Sequence, residues 1–145
     1  MGTISKNFDY REFEKSDTAK RLGIINVINT SKIRDGIKAL VLEVLQPLRD
    51  AWNKPLSINS GYRCQKLNEV VGGVATSQHC KGEAADIACA EPAKLAQLAY
   101  DLELPYDQMI LYPTFVHFSH KLNGQQRKQV LYNKQYRGEK LNMNK

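Results

Sequence analysis

Across residues 31–53, apolar side chains return every three or four positions: Ile33, Ile37, Leu40, Val41, Val44, Leu45, Leu48 and Trp52. That spacing lines one face of an α-helix, so a long buried scaffold helix is expected over about 31–53. Ser31 is its candidate cap. Pro47 lacks an N–H and should kink the helix or start its last turns anew, and Pro55 stops it. Upstream, roughly 10–22 reads as a short helix plus loop, with Asp9 as N-cap. Beyond the long helix the period shortens. Residues 56–59 predict a short strand, 60–63 a turn, and 64–71 one or two helical turns before the Gly72-Gly73 break. Residues 83–89 read as a strand buried on both faces. Pro92 takes the first position of a helix that continues over 93–102. Two strands, 106–112 and 115–120, are joined by a tight hairpin turn at Pro113-Thr114, and a last strand covers about 127–133. The polar tail, about 134–145, is expected to fray. The fold class is α+β, with helices packed against a small, mainly antiparallel sheet.

The chain of 145 residues is expected to form a single domain over 1–145. Its 42% hydrophobic and 25% charged residues are ordinary for a globular protein. No stretch approaches the roughly 18 apolar residues of a membrane span, so none is expected. The N-terminus lacks the apolar run of a secretory signal, which leaves three readings: a cytosolic protein, export by another route, or a trimmed chain. The net charge is +6, with some crowding of cations after Lys121. A solvated basic surface accounts for it, and an anionic polymer would also be attracted. Nucleic acid has only that charge behind it and is not expected as a partner; the expected state is a monomer. Three cysteines, Cys64, Cys80 and Cys89, make an odd count without CxxC spacing, which points to reduced thiols and excludes a cysteine-rich zinc knot.

Two of the three histidines fall in segments of unusual content. The first segment runs Ser77-Gln78-His79-Cys80-Lys81-Gly82-Glu83-Ala84-Ala85-Asp86. A straight strand would separate His79 from Asp86 by roughly 23 Å. Gly82 lies between them, where positive φ can fold the chain back and bring imidazole and carboxylate together. Asp86 is embedded in an apolar strand, where desolvation must be met by a cation or by hydrogen-bond donors. It is therefore either a metal ligand or a hydrogen-bonded hub. Cys80 sits beside His79, but adjacent residues of an extended chain point apart, which argues against both binding one ion. In Phe115-Val116-His117-Phe118-Ser119-His120, alternation puts His117 and His120 on opposite faces. His120 reads as a core or surface histidine. His79, Asp86 and His117 together make a three-ligand set with a fourth position open to water, the plan of a catalytic zinc.

The runs Ile58-Asn59-Ser60-Gly61-Tyr62-Arg63, Val71-Gly72-Gly73-Val74 and Ser77-Gln78-His79 through Gly82-Glu83-Ala84-Ala85-Asp86, followed by Val116-His117-Phe118-Ser119, resemble the zinc D-Ala-D-Ala carboxypeptidase family. That family includes the vancomycin-resistance carboxypeptidases and dipeptidases and several phage endolysins, and shares its fold with hedgehog signalling domains. The resemblance extends over about 8–130. It implies a hedgehog/DD-peptidase-like fold, Zn²⁺ held by His79, Asp86 and His117, and hydrolysis of peptidoglycan stem peptides in the cell wall or periplasm. The reaction is that of a D,D-carboxypeptidase or a related endopeptidase. The resemblance also puts Arg63 near the substrate, where a guanidinium clamps a terminal carboxylate or polarises the scissile carbonyl. The other reading of Arg63 is an arginine packed on Tyr62. Ser77 and Gln78 are expected to shape the loop holding His79 and to support the ligands.

One departure stands out. Many relatives carry a glutamate three residues before the last histidine as general base, and here that position is Thr114. Asp107 is the nearest acidic candidate. If Tyr112 and Phe115 pair across a two-residue turn, however, Ile110 lies opposite His117 and Asp107 faces the His120 side, and Glu83 has the same facing problem. The base is unassigned from sequence. A zinc-stabilised wall-binding module without turnover is the rival expectation.

Overall fold

The computed structural model describes residues 2–143. The strand pair β1 (Thr3–Ser5) and β2 (Phe8–Asp9) leads into helix α1 (Tyr10–Glu14). Asp9 accepts from the Arg11 N–H while Glu12 reaches back to the Asp9 N–H, a capping box that starts α1 where the sequence expects it. Helix α2 (Asp17–Leu22) is capped by Ser16 and ends on Gly23.

The long apolar stripe becomes one continuous helical stretch with a wide turn in it. Helix α3 (Ser31–Leu40) passes through a π-helical turn (Val41–Leu45) into α4 (Gln46–Trp52). Thr30, one residue before the expected Ser31, provides the cap and accepts from the Ile33 N–H at 3.1 Å. Pro47 causes no break. The preceding turn widens so that the Gln46 N–H bonds back to Val41, which takes up the register change that a residue without an N–H demands. Ile37, Leu40, Val41, Val44, Leu45 and Leu48 are fully buried on this stretch. Each such side chain contributes about 1.5–3 kcal/mol of transfer free energy. They form the middle of the core, with Leu95, Ala96 and Ala99 of helix α6 (Pro92–Asp101) and Met109, Leu111, Val116 and Phe118 of the sheet.

The sheet comprises β3 (Ser57–Ser60), β4 (Ala84–Ala88), β5 (Gln108–Leu111), β6 (Phe115–Ser119) and β7 (Gln129–Tyr132), in the order β3-β4-β6-β5-β7. Strands β3 to β6 pair antiparallel, and β7 adds to β5 in parallel. The β5–β6 hairpin closes as its turn chemistry predicts, with the Tyr112 N–H bonded to the Phe115 carbonyl and the two rings stacked. Between β3 and β4 lie α5 (Gln65–Val70) and a 3-10 turn (Gln78–Lys81). The described part of the tail is irregular. It returns to α6, where the Asn142 backbone and the Gln97 side chain exchange hydrogen bonds of 2.8 and 3.0 Å. No helix among the described residues is long and apolar enough to cross a membrane.

Candidate metal centre

Three local devices bring His79, Asp86 and His117 to one point. Strand register supplies the first: β4 pairs with β6 so that Asp86 lies directly opposite His117. The second is the 3-10 turn. Ser77 caps it by accepting from the His79 N–H, and Gly82 ends it at φ 73°, which turns the chain back into β4. A Cβ on Gly82 would lie 2.5 Å from the Ile33 carbonyl oxygen, and one on Gly36 would lie 3.0 Å from the Gly82 carbonyl oxygen. Helix α3 and the turn therefore approach backbone to backbone, and two residues without side chains make that possible. The third device is at Gly61, where a Cβ would meet the Phe13 Cα at 2.7 Å. That close approach fixes the Gly61 carbonyl, which accepts from His79 Nδ1 at 2.7 Å.

The ligand atoms of His79, Asp86 and His117 all lie within 4.8 Å of one another. His79 Nε2 is 3.4 Å and His117 Nδ1 2.9 Å from Asp86 Oδ1. Neighbouring donors of a tetrahedral zinc site are roughly 3.3–3.5 Å apart, given Zn–N and Zn–O bonds near 2.0–2.2 Å; the His79–Asp86 separation falls in that range, and the His117–Asp86 one is a shorter contact that an ion would have to open. The proton count adds a stronger argument. His79 has an acceptor at each ring nitrogen, the Gly61 carbonyl and the Asp86 carboxylate. His117 likewise faces Asp86 with Nδ1 and the Gln78 Oε1 with Nε2, at 3.1 Å. A neutral imidazole has one N–H to give. Both rings are nearly buried, at 3% and 8% exposure, so the unsatisfied contacts call for positive charge at the centre. Two extra protons or one divalent cation would supply it. Burial opposes ionisation of Asp86, but hydrogen bonds from His117 and His79 override it and hold the carboxyl well below the ordinary carboxylate range. A carboxylate that stays charged beside two imidazoles is a donor set of the borderline kind zinc takes.

Over this cluster runs a groove of about 400 Å³, lined by Arg63, the Val71–Val74 loop, Thr76, Ile110 and Tyr112. Arg63 Nη2 makes one long 3.5 Å contact to the Ser77 hydroxyl, and its buried Nε has no hydrogen-bond partner among the described residues. The Tyr112 hydroxyl is pushed up by burial and by the negative charge of Asp86. Asp86 is the only carboxylate in the groove wall among the described residues.

The other acidic candidates go elsewhere. The hairpin register puts Ile110 opposite His117, and Asp107 does not reach the cluster. Its fully buried carboxylate is bound by Arg127 and by the Gln78 amide. Glu83 accepts from the Leu122 N–H and lines a separate cavity of about 710 Å³, together with Cys80, Lys32, Lys81, Lys121 and Arg127. Cys80 is thus apart from the histidines' cluster. Thr76 and Gln78 border both this cavity and the groove, so the two adjoin. His120 is buried on the far side, its backbone N–H bonded to Glu83.

Sequence reasoning missed Arg127, which sits in an irregular stretch with nothing local to tie it to Asp107, and the Gly61 carbonyl, which no side chain announces.

Residues 6–120 match a family model described as Peptidase M15. No curated protein matches the chain.

Proposed function

The chain belongs to the peptidase M15 family, and from that premise we propose that it is a zinc-dependent peptidase of peptidoglycan stem peptides, with His79 Nε2, Asp86 and His117 Nδ1 as the metal ligands. The observation that carries the reading is the surplus of acceptors around two buried imidazoles, which asks for a divalent cation among them. When bound there, zinc would lower the pKa of a water to about 7 and polarise a peptide carbonyl.

The chain's own residues supply the rest. Arg63, with no carboxylate bound to it among the described residues and a place in the groove wall, offers a fork for a terminal carboxylate or for the oxygen on which charge develops. Val71 and Val74 are exposed along the rim and present apolar surface suited to alanine methyl groups. The adjoining cavity, with Lys32, Lys81, Lys121 and Arg127 in its wall, suits the further carboxylates of a wall peptide. A D-Ala-D-Ala terminus is the first substrate to try, and an internal stem or cross-bridge bond the second. With Thr114 at the position where many relatives carry a glutamate, the groove wall holds no carboxylate besides the ligand Asp86 among the described residues, so proton loss from water would rest on the acidity that a bound zinc confers.

The test is zinc-loaded protein incubated with purified muropeptides and read by mass spectrometry. Loss of a terminal D-Ala, or scission within the stem, is expected for the wild type and not for His117→Ala. Bound zinc with every muropeptide intact would overturn the enzymatic reading in favour of a wall-binding module.

A further inference from the structure

Asp107 lies outside the metal cluster yet is tied to it by a short chain of contacts. It is fully buried. Its Oδ1 accepts from the Arg127 backbone N–H at 2.8 Å and from Arg127 Nε at 3.1 Å; its Oδ2 accepts from Arg127 Nη2 at 2.7 Å. Burial works against charge on Asp107, but the Arg127 hydrogen bonds outweigh it and hold the carboxyl below its ordinary range. At neutral pH it is therefore a pure acceptor.

A pure acceptor at this place orients its neighbour. The Gln78 side chain lies 3.2 Å from Asp107 Oδ2. Only its NH₂ end can face a carboxylate, so the amide has one allowed orientation. Its Oε1 then points at His117 Nε2, 3.1 Å away, and an amide oxygen only accepts. His117 must carry its proton on Nε2. The lone pair left for a metal is on Nδ1, the nitrogen that faces Asp86 and His79.

We propose that the Arg127–Asp107 pair is a positioning device for the metal centre, acting through the Gln78 amide to keep the His117 proton on Nε2 and leave Nδ1 as the metal donor. The pair also bridges the end of the hairpin to the loop before β7, which a merely structural role would explain equally well. The two roles separate because only the relay depends on which end of the side chain at position 78 faces His117. The inference rests on the metal reading above, but it is tested by metal affinity rather than by turnover.

In Asp107→Asn the new NH₂ confronts Arg127 donors on one side and the Gln78 NH₂ on the other. Gln78 is expected to flip, present its NH₂ to His117 and favour the ring tautomer with the proton on Nδ1, where the ion should bind. The expected loss in zinc affinity, measured by competition with a chromophoric chelator, is roughly 10- to 100-fold. The double variant Asp107→Asn/Gln78→Glu moves the negative charge one side chain along the chain of contacts. The carboxylate introduced at position 78 then has oxygens for both the amide NH₂ introduced at position 107 and His117 Nε2–H, and affinity should return to within a few-fold of wild type. A double variant no tighter than the single one overturns the relay, as does a single variant with unchanged affinity. Should Asp107→Asn fail to fold, Gln78→Leu decides. It leaves Arg127 on Asp107 and removes both the acceptor of His117 Nε2–H and the amide donor to Asp107 Oδ2, so a tenfold or greater loss supports the relay and an unchanged zinc dissociation constant overturns it. A wild type that binds no zinc would instead remove the metal reading itself, which keeps the two failures apart.

Discussion

Gly82 is the point at which backbone conformation, helix packing and the metal cluster meet, so Gly82→Ala perturbs all three. The residue has φ 73°, and a Cβ there would stand 2.5 Å from the Ile33 carbonyl oxygen, a backbone atom that cannot rotate away. Left-handed backbone costs a residue with a Cβ about 1–2 kcal/mol. Forcing the turn off helix α3 adds about 1–3 kcal/mol, the usual cost of overpacking. Gly23→Ala is the control: it has a similar φ of 70° but nothing within 4 Å of its Cβ, and should incur the backbone part alone. At roughly 3–5 °C per kcal/mol for a chain of this size, Gly82→Ala should melt about 10 °C below wild type and Gly23→Ala about 5 °C below. Scanning calorimetry of the metal-free proteins reads the difference. Gly82→Ala should also bind zinc more weakly, because His79 rides on the displaced turn, whereas Gly23→Ala should bind it normally. If Gly82→Ala costs no more than Gly23→Ala, the close approach of helix and turn does not hold the site together and the reasoning fails.

Other outcomes follow from the same geometry. Arg63→Lys should retain zinc and melting temperature but lose about 10- to 100-fold in kcat/KM on muropeptides, since a point charge does not reproduce the planar fork; unchanged kinetics would remove Arg63 from the substrate groove. Asp107 has its folded-state pKa below the unfolded value, so its ionisation stabilises the fold above about pH 4, and that contribution is lost as the pH falls through the folded value. Urea titrations from pH 6 to pH 2.5 should therefore show a shallower acid loss of stability in Asp107→Asn than in wild type, and parallel curves would contradict it. Leu45→Ala, at a fully buried position in the π-helical turn, should cost about 2–5 kcal/mol by chemical denaturation without changing the metal-to-protein ratio once folded.

Much of this arrangement was legible in the chain because local rules govern it. The stripe from Ile33 to Trp52 made a helix since its spacing leaves no other face to bury, and Pro113-Thr114 set a two-residue hairpin whose register placed Ile110 against His117. From that register it already followed that Asp107 points away from His117. Gly82 read as a reversal because it stands between a histidine and a carboxylate that a straight strand would part. What escaped depends on tertiary neighbours. The alternation of β7 does not state which strand it will pair with, and it joined β5 in parallel. Thr30 and Ser31 are both good caps by residue type, and Thr30 is the one used. The link from Arg127 through Asp107 and Gln78 to His117 crosses four segments, each unremarkable alone.

Metal content tests the three-ligand site itself. Wild-type protein exchanged into zinc and dialysed should retain about one zinc per chain by elemental analysis, as a three-ligand site of this kind implies. His79→Ala, Asp86→Ala and His117→Ala should each fall far short of it while remaining folded by circular dichroism. Stoichiometric zinc in a folded His117→Ala protein would contradict the shared site on which the proposed chemistry depends.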